Sequence, residues 1–303
     1  MKRILITTGN GMFGKALIPE LLSREALVRI MVRDVSKCSI SHERAEIVTG
    51  DLDRPETLKP VLEGVDGIFL SSPMDKRIGE REGSMIRLAK EAGVKQIAKI
   101  GGAVKHEGDE LSRTHGVALE ILFNSGIPWV LVSPSSVIET SMQAFAESIR
   151  YLHAIYGCSG HGKVGLVALR DIAKVSALVL TTNGHDGKNY ELTGPESIDL
   201  FEVAERFTRV LGQKILYLDL TEEQFTKLLI KYDKTLTPER IEIETLCHLR
   251  AWREGKADLV TGTYRKLTGE NPTSLEEWIN LNRETFLKGM LPSWIAALMR
   301  WVS

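Results

Sequence analysis

Apolar residues recur in short runs through the first half of the chain. The first run, Ile4 to Ile6, leads into Thr7-Thr8-Gly9-Asn10-Gly11-Met12-Phe13-Gly14, and an apolar segment with helical spacing follows. Further runs of strand length fall at 27–32, 45–48, 67–70, 96–100 and 129–132, with helix-period segments at 55–62, 77–92 and 110–124 between several of them. Strands that are apolar throughout are buried on both faces, and their alternation with helices predicts a parallel sheet covered on both sides. Turn signals at Glu63-Gly64, Ala92-Gly93 and Ser125-Gly126-Ile127-Pro128 separate the elements. Asp53, followed by Pro55 and Glu56, predicts a capped helix start. Pro19 lacks the N–H that would bond to the Lys15 carbonyl, which predicts a kinked or short first helix.

From Thr140 onward helical patterns dominate, and only two short strands are expected, at 163–167 and 189–192. Helix starts are well marked: Asp199 with Glu202, Thr221 with Gln224, Ser274 with Glu277, and Thr237 before Pro238. The expected architecture is α/β, a doubly wound parallel sheet over residues 1–139. A smaller, mostly helical lobe over 140–303 is intertwined with it and packs at the sheet's edge and carboxyl end. The last stretch predicts a helix capped by Ser293, with Trp294, Leu298, Trp301 and Val302 on one stripe, docking on its own domain.

The 303 residues carry a net charge of −1, with 43% hydrophobic and 26% charged positions. With a sequence pI near 6.7, this lacks the basic excess expected of a nucleic-acid or anionic-membrane binder. No apolar run is long enough to span a bilayer, and the amino terminus enters a strand without a signal peptide. Three scattered cysteines, Cys38, Cys158 and Cys247, suit a reducing compartment, so a cytoplasmic protein is expected.

Strand, glycine turn and helix in this order form a cradle for a dinucleotide phosphate. The glycines let the backbone approach the pyrophosphate, and the N–H groups of the helix start face the anion. The expected contacts are Thr8, Gly9, Asn10, Gly11, Met12, Phe13 and Gly14. Arg33 follows the second strand, where such folds meet the adenosine ribose. Together with Lys37 it suits a 2′-phosphate and favours NADP(H), while the adjacent Asp34 keeps NAD(H) possible. Asp51 and Leu52 after the third strand, and Ser71, Ser72 and Pro73 after the fourth, lie at the same carboxyl edge and are expected to line the cofactor. Cys158-x-x-His161 lacks a second ligand pair for zinc and reads as a glycine-rich loop that could cover the site, so no metal is expected. Cys247-His248 reads as helix packing.

The chain resembles the NmrA-like branch of the atypical short-chain dehydrogenase/reductases. The resemblance rests on ITTGNGMFG, VRIMVRDVSK, GDLDRPETLKPVLEGVDGIFLSSP, KEAGVKQIAKIGG, NSGIPWVLVSPSSVIET, VALRDIAKVSALVL, NYELTGPESIDLFEVAERFTRVLGQKILYLDLTEEQF and LTGENPTSLEEWI. It implies a Rossmann domain with a substrate lobe, and an NADPH-dependent reductase of quinones, imines, enones or cationic dyes. It equally admits a redox sensor that binds NADP(H) without turnover, or an isomerase or lyase that uses NADP transiently. The family's turn usually reads Gly-Ala-Thr-Gly-x-x-Gly, and Thr8 stands here for its first glycine. The Tyr-x-x-x-Lys pair of many short-chain dehydrogenases is missing. His115 falls near the absent tyrosine, and an imidazole can hand over a proton near neutrality, which makes it the candidate catalytic residue. An iminium ion or cationic dye needs little acid assistance, so positioning alone could serve such an acceptor. Val137, Ile138 and Tyr156 are expected to wall a small-molecule substrate, and Asp171 to cap a helix that ties the lobes together. A homodimer is possible.

Overall fold

The computed structural model describes residues 1–104, 108 and 110–287. The helix expected from Ser293 onward lies outside these residues. Among the described residues twelve strands follow one another: β1 (Arg3–Ile6), β2 (Leu27–Val32), β3 (Ala45–Thr49), β4 (Gly67–Leu70), β5 (Gln96–Ile100), β6 (Trp129–Pro134), β7 (Ser136–Val137), β8 (Ala154–Gly157), β9 (Val164–Val167), β10 (Lys188–Leu192), β11 (Ser197–Ile198) and β12 (Leu216–Asp219). Seven of them form one parallel sheet in the order β10-β6-β5-β4-β1-β2-β3. The order reverses between β1 and β4, and the crevice of a doubly wound sheet opens at the carboxyl ends of those strands.

The apolar strands are buried because both faces are covered. The helices Met12–Ser23 and Leu169–Thr181 pack on each other over one face, in a core that includes Ile4, Ile30, Phe69 and Val132. The helices Ile78–Glu91 and Glu110–Phe123 pair over the other, where Leu5, Ile68, Met85 and Ile97 are buried. Gly93 and Gly126 take φ of 74° and 78°, the left-handed turn conformation their positions foreshadow. Helix Met12–Ser23 runs through Pro19 without interruption. Pro19 is exposed, so water can take the Lys15 carbonyl that it leaves unbonded.

Strand β10 and the helix Leu169–Thr181 lie beyond residue 139 yet complete this layer, β10 pairing with β6 along its whole length. The remaining chain builds a lobe with its own core around Ile155, Leu200, Phe207, Trp252, Trp278 and Phe286. Strands β7, β9 and β11 form one small sheet there, and β8 with β12 another.

Several local expectations are corrected. The segment 55–62 is a short 3-10 turn, Pro55–Thr57, followed by the single helical turn Leu58–Val61. Arg54 occupies its cap position without a side-chain bond, because the Asp53 carboxylate is taken by Arg77 at 2.7 Å and Arg81 at 2.6 Å. Asp171 is not a cap either, since Ala168 holds that position. Glu139 serves that helix instead, accepting from the Leu169 N–H at 2.9 Å and from Trp278 Nε1 at 2.9 Å. The buried Asp171 carboxylate does tie distant segments, accepting from the Thr273 N–H at 2.7 Å and the Thr273 hydroxyl at 3.0 Å.

Candidate functional site

The turn after β1 is shaped by close packing. A Cβ at Gly14 would stand 2.3 Å from the Thr8 carbonyl oxygen, and one at Gly9 would stand 2.2 Å from Ile30 Cγ2. Only glycine lets the helix start fold this tightly against the strand end. Gly11 is the helix N-cap and supplies no side-chain acceptor, nor does the first turn hold an acidic residue. The opening N–H groups are therefore left to an anion, and the arrangement fits a diphosphate. Thr8 leaves the approach open, because its hydroxyl turns aside to Ser71 Oγ at 2.6 Å. Thr7 stitches the same two strand ends, donating to the Ser71 carbonyl at 2.7 Å and accepting from the Ser71 N–H at 3.1 Å.

Arg33 is exposed just past β2. The carboxylate of Asp34 is held by its own turn. It accepts from the Ser36 N–H at 3.0 Å and the Ser36 hydroxyl at 2.6 Å, bonds that hold it below the usual carboxylate range. Lys37 lies 3.6 Å from the same carboxylate and points into solvent. Asp51 Oδ1 accepts from the Asp53 N–H at 3.0 Å, a local turn contact. The Leu52 side chain is buried in the core beneath the sheet, so only its backbone can meet a ligand. Pro73 is exposed beyond β4.

A cavity of about 890 Å³ opens beside the turn. Met12, Phe13, Ser71 and Ser72 bound one end, and Val137, Tyr156, Phe145, Phe225 and Trp252 of the lobe bound the other. Its walls are mainly apolar, as suits a flat organic ligand. His115 lines it. Ile138 is fully buried in the lobe core and does not reach it, which corrects its expected role as a substrate wall. The loop after β8 does not cover it. Ser159 donates its N–H to the Tyr217 hydroxyl at 3.2 Å and Gly160 donates to Asp219 Oδ1 at 3.0 Å, so the loop is pinned to β12. Burial pushes the Cys158 thiol up to about 11, and His161 pairs with Asp199 at 2.9 Å. No group of three metal-binding side chains exists among the described residues.

Two groups of lining residues escape sequence reasoning. One comes from a π-turn, Glu242–Leu246, which widens the helical path so that Glu244, Thr245 and His248 reach the cavity. His248 is thus more than helix packing. The other is a buried charge pair. Lys99, at the end of β5, and Glu82, on the helix Ile78–Glu91, are 0% and 2% exposed and lie 2.8 Å apart. Glu82 also accepts from the Ser72 hydroxyl at 2.9 Å. Lys99 donates to the Ile100 carbonyl at 2.8 Å and stands 3.4 Å from His115 Nδ1. A lysine inside an otherwise apolar strand, in Gln96-Ile97-Ala98-Lys99-Ile100, is the one sequence signal that could have marked this cluster.

An NAD(P)H-binding family is matched over residues 9–182, more than half of the chain. An NAD(P)H azoreductase of Xenophilus azovorans is 31% identical over 73% of this chain and 78% of its own. A quinone oxidoreductase 2 of Escherichia coli is 27% identical over 75% of this chain and 80% of its own. The structure of the NADPH-dependent quinone oxidoreductase QOR2 of Escherichia coli with NADPH superposes with a TM-score of 0.84 at 25% identity, covering 92% of this chain and 99% of that one. A triphenylmethane reductase of Citrobacter sp. shares the fold, with a TM-score of 0.80 at 23% identity over 94% of this chain and 99% of that one. With the glycine turn, the sheet order and the neighbouring cavity, these matches place the chain in the NAD(P)H-binding, NmrA-like family of atypical short-chain dehydrogenase/reductases.

Proposed function

We propose that the protein is an NADPH-dependent reductase that delivers hydride to a small, flat, conjugated acceptor such as a quinone, imine, enone or cationic dye. The observation that carries this is the shared boundary between the phosphate turn and the apolar cavity, where Met12 and Phe13 belong to both and Ser71 and Ser72 line the cavity from the end of β4. When bound, the dinucleotide supplies the hydride. This chain's residues hold its diphosphate at residues 8–14 and shape the acceptor's berth with Val137 and Tyr156. They also keep much of the water out. NADPH is favoured over NADH because Asp34 spends its carboxylate on Ser36, leaving Arg33 as the group for a 2′-phosphate. Lys37, turned to Asp34, is the weaker candidate. His115 is the candidate for serving the acceptor's reduced atom. No described helix is long and apolar enough to cross a membrane, and a cytoplasmic enzyme working on diffusible acceptors suits the charge balance. A protein that only senses the cofactor would have little use for a chamber this large beside it.

Purified protein is mixed with NADPH and a panel of quinones, iminium compounds and cationic dyes, and absorbance loss at the nicotinamide band is followed. Turnover with at least one acceptor class is expected. No oxidation above background with any of them, in protein shown by fluorescence to bind NADPH, would overturn the assignment in favour of a regulatory protein.

A further inference from the structure

The charge pair beside His115 lies outside the turn at residues 8–14, and it is costly. Taking two charges out of water is repaid only where further hydrogen bonds complete the geometry, and a pair of apolar residues of similar volume would often be as stable. Here further bonds are present on both partners. Glu82 Oε1 accepts from the Ser72 hydroxyl, while Oε2 faces the Lys99 ammonium at 2.8 Å in an ion pair that lacks hydrogen-bond alignment. Lys99 donates to the Ile100 carbonyl and points toward His115 Nδ1. The ammonium is thus anchored on two sides, on a strand end and on a helix, and its third direction runs to the imidazole.

That direction has a chemical consequence. An ammonium has donors and no acceptor, so the ring nitrogen facing it must carry a lone pair. The proton of a neutral imidazole then sits on the other nitrogen. The contact is 3.4 Å, long for a hydrogen bond, as donor pairs in sites without substrate often are.

Resting on the reductase reading above, we propose that Lys99 is a positioning residue: held by Glu82, it fixes His115 as the Nε2–H tautomer, a neutral hydrogen-bond donor that selects acceptors whose negative charge develops on oxygen. In a quinone or enone, hydride and its electron pair arrive at the conjugated system and charge gathers on the carbonyl oxygen. His115 Nε2–H donates to that oxygen, and the resulting anion takes its proton from water on release. In a cationic dye or iminium ion the hydride neutralises an existing positive charge, no oxyanion forms, and the donor has nothing to stabilise. The cluster therefore favours the carbonyl class within the proposed acceptors.

The test compares wild type with Lys99→Met/Glu82→Gln, a double change that removes both charges and so leaves neither buried alone. Reduction of a naphthoquinone and of a triarylmethane dye is measured at saturating NADPH. The expected result is a fall of at least tenfold in the quinone-to-dye kcat ratio, with the NADPH dissociation constant within twofold of wild type. His115→Phe should lower the same ratio, and combining it with the double change should add little. Independently, 15N-histidine NMR of the wild-type protein, with the His115 signals assigned by that variant, should show a protonated Nε2 and an unprotonated Nδ1. The proposal is overturned by a ratio that stays at the wild-type value, by equal losses on quinone and dye, or by a proton on Nδ1. Wild-type protein that binds NADPH but reduces neither acceptor would instead refute the reductase reading, and the tautomer measurement would still decide what Lys99 does. That measurement needs no folded variant beyond the one used for assignment.

Discussion

Gly14 is the residue on which the phosphate turn closes. An added methyl would lie 2.3 Å from one backbone oxygen and 2.8 Å from another, and neither can swing away as a flexible side-chain tip can. Gly14→Ala is expected to weaken NADPH binding by at least about tenfold, or 1.4 kcal/mol, as read by nicotinamide fluorescence. Arg33 acts differently, because it contributes charge and leaves the backbone path unaltered. Arg33→Ala should cost NADPH about 1.5–3 kcal/mol, the range of hydrogen bonds to charged groups, and move the NADH dissociation constant by less than about twofold. Equal losses for both dinucleotides would place the 2′-phosphate elsewhere. Both positions can be read from the sequence, Gly14 from the glycine spacing of the turn and Arg33 from its place just past the second apolar run. Ile138 is the contrary case. It neighbours Val137, which does line the cavity, but the chain leaves its short strand for a helix there and carries Ile138 into the lobe core.

Between elements, the decisive contacts are buried polar groups that join segments far apart in the chain. Asp171 is one of them: its carboxylate, 1% exposed, takes two donors from Thr273. Asp171→Ala would leave the Thr273 N–H buried without an acceptor, at about 1–3 kcal/mol. Asp171→Asn should cost less, since the Thr273 hydroxyl can turn to accept from the new amide. Urea unfolding of the two variants distinguishes this from a simple loss of volume, which would affect Asn little and Ala only slightly. The helix starts at Asp199, Thr221, Thr237 and Ser274 were legible, because a cap is a bond between residues three apart, and each side chain accepts the expected N–H. Asp53 carried the same local signal and was claimed by Arg77 and Arg81, which form stronger, charge-assisted bonds from a helix that sequence spacing does not bring near. Strands β8 and β12 went unseen for a related reason. They are four residues each, β8 buried and β12 largely exposed, and among the described residues they pair only with each other.

For the molecule as a whole, these polar ties set opposing responses to pH. Asp53 has its carboxyl held below the ordinary value, chiefly by the Arg81 guanidinium. Its contribution to stability is present above the unfolded-state carboxyl value, about 3.9, and is lost as pH falls through the depressed folded value. Asp171 is pushed the other way by burial. Ionising it costs the folded state, so its contribution is greatest below the unfolded-state value and declines as pH rises through the raised one. Urea midpoints should therefore fall on acidification below about pH 4, and Asp53→Asn should flatten that fall. An unchanged acid limb would mean that other carboxylates govern it.

The sequence by itself determined the parallel sheet, the tight glycine turn after β1 and most helix starts, because these are written in residues a few positions apart and in apolar runs that can only be buried. The tertiary structure alone decided which side chains share the cavity. Lys99, Glu82 and His115 stand on a strand and two helices, and only the crossovers of the sheet bring them within reach of one another. An ammonium and a carboxylate enter an apolar interior only when they meet there, so neither residue announces its role until the fold has paired it.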